Sequence, residues 1–87
     1  MKTLTLDPRV IEAIAAHYDE ALRLIEKQFR VSISARGTEL TLASGEPDAE
    51  RRVEQVVELL GELGELHERG VELGRGELKT AVNLRRR

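Results

Sequence analysis

Between Val31 and Leu42 the chain alternates twice around one glycine. Val31, Ile33 and Ala35 alternate with Ser32 and Ser34, and Leu40 and Leu42 alternate with Glu39 and Thr41. A period of two puts the aliphatic residues on one face of a strand and the hydroxyls on the other. Arg36-Gly37 lies between the two runs, and Gly37 can supply the positive φ of a tight turn from Ala35 to Thr38. The stretch predicts an antiparallel hairpin, aliphatic on one face and Ser/Thr on the other. A two-stranded hairpin is marginal alone, so the rest of the chain must add a strand and cover the aliphatic face.

Lys2 to Leu6 supplies that strand, with Leu4 and Leu6 opposed to Thr3 and Thr5. Asp7-Pro8 is a helix start, because Asp caps well and Pro at the first helical position loses no needed donor. Val10, Ile11 and Ile14 give the first stripe, and Leu22, Ile25 and Phe29 give the next. Positions 11, 14, 18, 22, 25 and 29 fit one unbroken helix with Tyr18 on its buried face. They equally fit two helices separated near His17-Tyr18-Asp19, with Asp19 as the second N-cap and able to pair with Arg23. Both readings stand on periodicity alone. Arg30 places positive charge near the helix end.

Ser44-Gly45-Glu46-Pro47 is a loop opening a long helix with Ala49, Val53, Val56, Val57, Leu60 and Leu63 inward. Gly61 and Gly64 each cost about 1 kcal/mol against Ala in a helix interior, which marks weakness or close packing. Gly70 is the expected C-terminal cap. Arg75 to Arg87 forms a last helix with Leu78, Ala81 and Val82 inward and a solvated Arg85-Arg86-Arg87 end. The resulting class is α+β, in a single domain spanning residues 1–87: a three-stranded antiparallel sheet covered on one face by helices, plus one C-terminal helix.

Charge is unevenly placed in this chain of net −2. Residues 46–68 hold eight acids and two bases, and residues 69–87 hold six bases and two acids. Glu50, Glu54, Glu58 and Glu62 form a like-charged ladder at i,i+4 spacing. It serves solubility, or docks a basic partner or the chain's own Arg-rich tail. Net acidity argues against strong phosphate-driven affinity.

Several chemistries find little footing. With no cysteine there is no disulfide or thiolate metal site. His17 and His67 stand fifty positions apart with no metal-ligand spacing nearby, and no cofactor is expected. Gly74 to Thr80 ends like a phosphate loop, but Leu78 stands where glycine must precede Lys79. No Ser-His-Asp or paired-carboxylate constellation stands out, so the chain reads as a non-enzyme. It has no membrane-length apolar run and no signal-peptide stretch at MKTLTLDP, so a cytoplasmic protein with no membrane partner is expected.

The segment IEKQFRVSISARGTELTLASGEPDAERRVEQVVELL resembles the N-terminal domain of PhoH-like proteins. Upstream, His17-Tyr18-Asp19-Glu20 and the following ALRLIE are similar to that family's Gly-x-x-Asp-x-x-Leu segment. Downstream, Val71-Glu72-Leu73 and Glu77-Leu78 with Ala81 look like its closing helix. The resemblance implies a KH-like fold of type I order, β-α-α-β-β-α. It also implies binding of single-stranded RNA, or DNA, on a GxxG loop between two helices. Relatives carry a P-loop ATPase domain that this sequence lacks. Ala16 occupies the expected glycine position, which weakens a phosphate clamp.

The candidate RNA-binding residues within such a fold are His17, Tyr18, Arg23, Lys27, Arg30, Arg36 and Gly37. Arg23, Lys27 and Arg30 share a helix face, and the hairpin turn bearing Arg36 would form the opposite wall of a groove. The competing reading is a solvated face neutralised by Glu20, Glu26 and Glu39. Tyr18 either stacks on a base or packs in the core. The alternative function is a protein-interaction or homo-oligomerisation domain that keeps the shape without nucleic-acid binding.

Overall fold

The computed structural model describes residues 1–86, apart from the side chains of Ala16 and Arg86. The expectations for the Ala16 side chain, Arg86 and Arg87 lie outside the described residues. Three strands, β1 (Lys2–Thr5), β2 (Ser32–Arg36) and β3 (Glu39–Ala43), form an antiparallel sheet in the order β1-β3-β2. Four helices follow as α1 (Pro8–Ile14), α2 (Tyr18–Phe29), α3 (Ala49–Glu68) and α4 (Arg75–Arg86). The chain order is therefore β-α-α-β-β-α with a further helix. No described helix is long and apolar enough to cross a membrane.

Register explains the two faces of the sheet. Leu4, Leu40 and Ala35 share one row, and Thr3, Thr41 and Ser34 share the next. Leu40 and Leu42 are fully buried beneath the helices, while Thr3, Thr5, Ser32 and Ser34 stay exposed on the open face. The Leu6 N–H continues the β1 ladder by donating to the Thr38 carbonyl at 2.7 Å. Gly37 has φ +61, the positive φ that a two-residue hairpin turn asks of its first residue. Ala35 and Arg36, expected within the turn, still belong to β2.

Asp7 caps α1, its carboxylate accepting the Arg9 N–H at 2.9 Å. The helix then breaks. Ile14 (φ −111, ψ 5) leads into a 3-10 turn over Ala15–His17, and His17 (φ −134, ψ 34) leads into α2. Of the two periodicity readings, the broken one holds, although the break lies earlier than Asp19. Asp19 sits inside the first turn of α2 and caps nothing; the cap position is His17, which makes no side-chain cap bond.

The far end of α2 is heavily fixed. Arg30 takes a left-handed conformation (φ 54) while its N–H donates to the Glu26 carbonyl. Arg52 Nη1 donates to the Phe29 carbonyl at 3.0 Å, and Ser44 Oγ donates to the Arg30 carbonyl at 2.9 Å. Orphan carbonyls at a helix end need such partners.

Helix α3 starts at Ala49, two residues later than Pro47 suggests, and ends before Gly70 (φ +88). Its buried arc also includes Leu59 and Gly64, because α1, α2 and α4 all pack against it. A Cβ on Gly64 would lie 3.0 Å from Val10 Cγ2, so glycine there admits α1. Leu78 and Val82 seat α4 in the core. Arg85, expected to be solvated, instead binds Glu62 and, at 3.2 Å, Glu58. Two of the four ladder glutamates therefore share one arginine of the chain's own C-terminal helix.

Candidate nucleic-acid interface

The break between α1 and α2 faces the hairpin turn. Ile11, Ala15 and Tyr18 from the helical side, with Leu6 at the end of the β1 ladder, meet Gly37 and Thr38 across a recess of about 350 Å³. Tyr18 is half-buried, its ring packed on the core at the wall of this recess. It is thus both a packing residue and a recess-lining one. Gly37 is exposed and leaves open space where a side chain would stand.

The four cations do not surround one groove. Arg36 pairs in register with Glu39 and Thr5 stands in the same row, which places it on the open face of the sheet. Arg23 lines a separate cleft between α2 and α4. Lys27 is exposed one turn further along the same helix face. Arg30 lies at the other end of α2, about 18 Å from Tyr18 by helix rise, and pairs with Glu46 at 3.5 Å. His17 is half-buried in the turn and does not line the recess. Tyr18 and Gly37 are the two expected site residues that the fold brings together.

Two of the three acids expected to neutralise these cations, Glu20 and Glu26, have other partners, while Glu39 stands opposite Arg36 in the sheet. Glu20 binds Arg75 at 2.8 Å, and Glu26 accepts the backbone N–H of Ile33 at 2.8 Å. Asp19 and Arg23 form no ion pair among the described residues. Sequence reasoning missed Arg75 and Lys79 as neighbours of Arg23. Their i,i+4 spacing, flanking the buried Leu78 and Val82, was the available signal.

Shifted ionisations fall at helix ends and at the α3–α4 contact, outside the recess. Hydrogen bonds from Arg9 hold the Asp7 carboxyl below the usual carboxylate range, and Arg52 does the same to Asp48. Arg9 and Arg85 are pushed up, chiefly by bonds to Asp7 and Glu62 respectively. Among the described residues no group of three or more His, Asp or Glu is placed to hold a metal ion. His67 Nε2 instead lies 3.2 Å from Glu12 Oε2, joining α3 to α1.

Comparison with protein-family models, with curated proteins and with solved structures finds no match.

Proposed function

We propose that this chain is a KH-like module that binds single-stranded RNA, or DNA, weakly, akin to the N-terminal domain of PhoH-like proteins and working in the cytoplasm. It acts by binding rather than by catalysis. The observation that carries the reading is the helical break facing the Gly37–Thr38 turn, with Tyr18 at the wall of the recess between them. An aromatic face accepts a stacked base of any identity, and a bare glycine lets a strand approach the backbone. The order β-α-α-β-β-α supports the same reading. The turn Ala15–His17 contains no glycine, so close phosphate clamping is weakened. Net negative charge keeps the affinity low, and its salt dependence comes from the cations that meet phosphate.

The test is fluorescence anisotropy of a labelled single-stranded RNA at low and moderate salt. Binding is expected at low salt and fades as salt rises. Tyr18→Phe keeps it, whereas Tyr18→Ala loses the about 1–3 kcal/mol that one stacked base contributes. Absence of binding at low salt overturns the proposal, and so does wild-type affinity in a folded Tyr18→Ala protein. Light scattering addresses the competing reading of a self-associating domain, which requires mass to grow with concentration.

A further inference from the structure

Helices α2 and α4 enclose a cleft of about 390 Å³ floored by Ala21, Leu24 and Leu78. Arg23 stands on the α2 wall, Arg75 and Lys79 on the α4 wall, and Glu20 is the single acid among the lining residues. Arg75 pairs with Glu20 at 2.8 Å within the cleft, so Arg23 and Lys79 carry its positive excess. Arg9, Arg30, Arg52 and Arg85 each lie against a carboxylate. Arg23 and Lys79 have no ion-pair partner among the described residues and flank one cleft, with Lys27 a turn away. In a chain of net −2, like charges gathered around an apolar floor are a surface awaiting an anion. Apolar floor and cationic rim together suit a single strand, whose phosphates meet the rim while a base or ribose covers the floor.

We propose that this cleft is a second nucleic-acid contact, in which Lys79 of α4 and Arg23 of α2 meet the backbone phosphates of single-stranded RNA. The inference rests on the RNA-binding reading and extends it. The Tyr18 recess and the cleft share no lining residue and lie on different faces of α2, Tyr18 lining one and Glu20, Ala21, Arg23 and Leu24 the other. Lys79 is exposed, so its substitution leaves the core untouched.

The experiment titrates labelled single-stranded RNA into wild type, Lys79→Glu and Arg51→Glu over a salt series. Arg51 is exposed on α3, and its reversal changes net charge by the same amount away from the cleft. The expected result is a weakening of about five- to tenfold for Lys79→Glu at 50 mM salt, and a salt slope smaller by about 0.7. Arg51→Glu stays within about twofold, as unspecific repulsion is screened beyond the Debye length. Equal weakening by both variants, or none by Lys79→Glu, overturns the cleft proposal while leaving RNA binding itself intact. A wild type that binds no RNA overturns both. Binding of poly-glutamate through Lys79 in its place would assign the cleft to an acidic protein partner.

Discussion

The carboxylate of Glu26 accepts the backbone N–H of Ile33 at 2.8 Å. Ile33 belongs to β2, an edge strand whose outer backbone groups have no neighbouring strand. Glu26 therefore ties helix α2 to the sheet edge and occupies a donor that another chain could otherwise pair with. Glu26→Ala leaves that half-buried N–H unmet and is expected to cost about 1 kcal/mol, at the low end for an unsatisfied donor. Glu26→Gln keeps an acceptor oxygen and should cost less than half as much. Urea denaturation of the two variants checks the order.

The two glycines inside α3 are expected to respond in different ways. A Cβ at Gly61 meets open space, whereas one at Gly64 lies 3.0 Å from Val10 Cγ2. Gly61→Ala should stabilise the protein by about 0.5–1 kcal/mol through helix propensity and a smaller unfolded-state entropy. Gly64→Ala must push the Val10 side chain aside and should come out about 1 kcal/mol less favourable than Gly61→Ala. Thermal denaturation of both variants reads the difference.

Arg30 holds φ 54 without being glycine. Three bonds fix it there: its N–H to Glu26, its carbonyl from Ser44, and its guanidinium to Glu46. A side chain in this conformation costs roughly 1 kcal/mol relative to glycine. The ion pair that would be lost is solvent-exposed and contributes little. Arg30→Gly should therefore raise stability by up to about 1 kcal/mol. It should also leave RNA affinity within about twofold, because the residue lies at the opposite end of α2 from Tyr18. Denaturation and anisotropy on the same variant test both halves.

Acid should weaken the fold through Asp7 and Asp48. Both carboxyls are held below their ordinary range in the folded protein by bonds from Arg9 and Arg52. A depressed folded-state value favours folding above the unfolded value, near pH 4. That contribution disappears as pH falls through the folded value. Stability owed to these two groups should be constant from pH 7 to about 5 and decline below about 4. Asp7→Asn keeps a capping oxygen but cannot titrate, so its melting temperature should fall less steeply with acid.

The hairpin was legible in the sequence because alternation and Gly37 point the same way. The two-helix course was not. The stripe at 11, 14, 18, 22, 25 and 29 is kept by both arrangements, and neither glycine nor proline marks the break. The break appears only in the backbone angles of Ile14 and His17. Asp19 has the residue type of an N-cap yet lies two residues too late, because α2 is placed by burial of Leu22, Ile25 and Phe29 rather than by its cap. Leu59 was absent from the expected core since a single stripe underestimates a helix packed on three sides. Arg23 and Lys27 lie on α2 at i,i+4 spacing, but Arg30, grouped with them, leaves the helix at its left-handed cap, and the wall facing Arg23 comes from α4, a pairing that no local spacing encodes.

The central claim is that a single strand sits between the Ala15–His17 turn and the hairpin. Its most direct test is an NMR titration of the labelled protein with a short single-stranded RNA at low salt. The account predicts amide shift changes concentrated at Ala15, Tyr18, Gly37 and Thr38. Shifts confined to the acidic face of α3, or none at all, would contradict it.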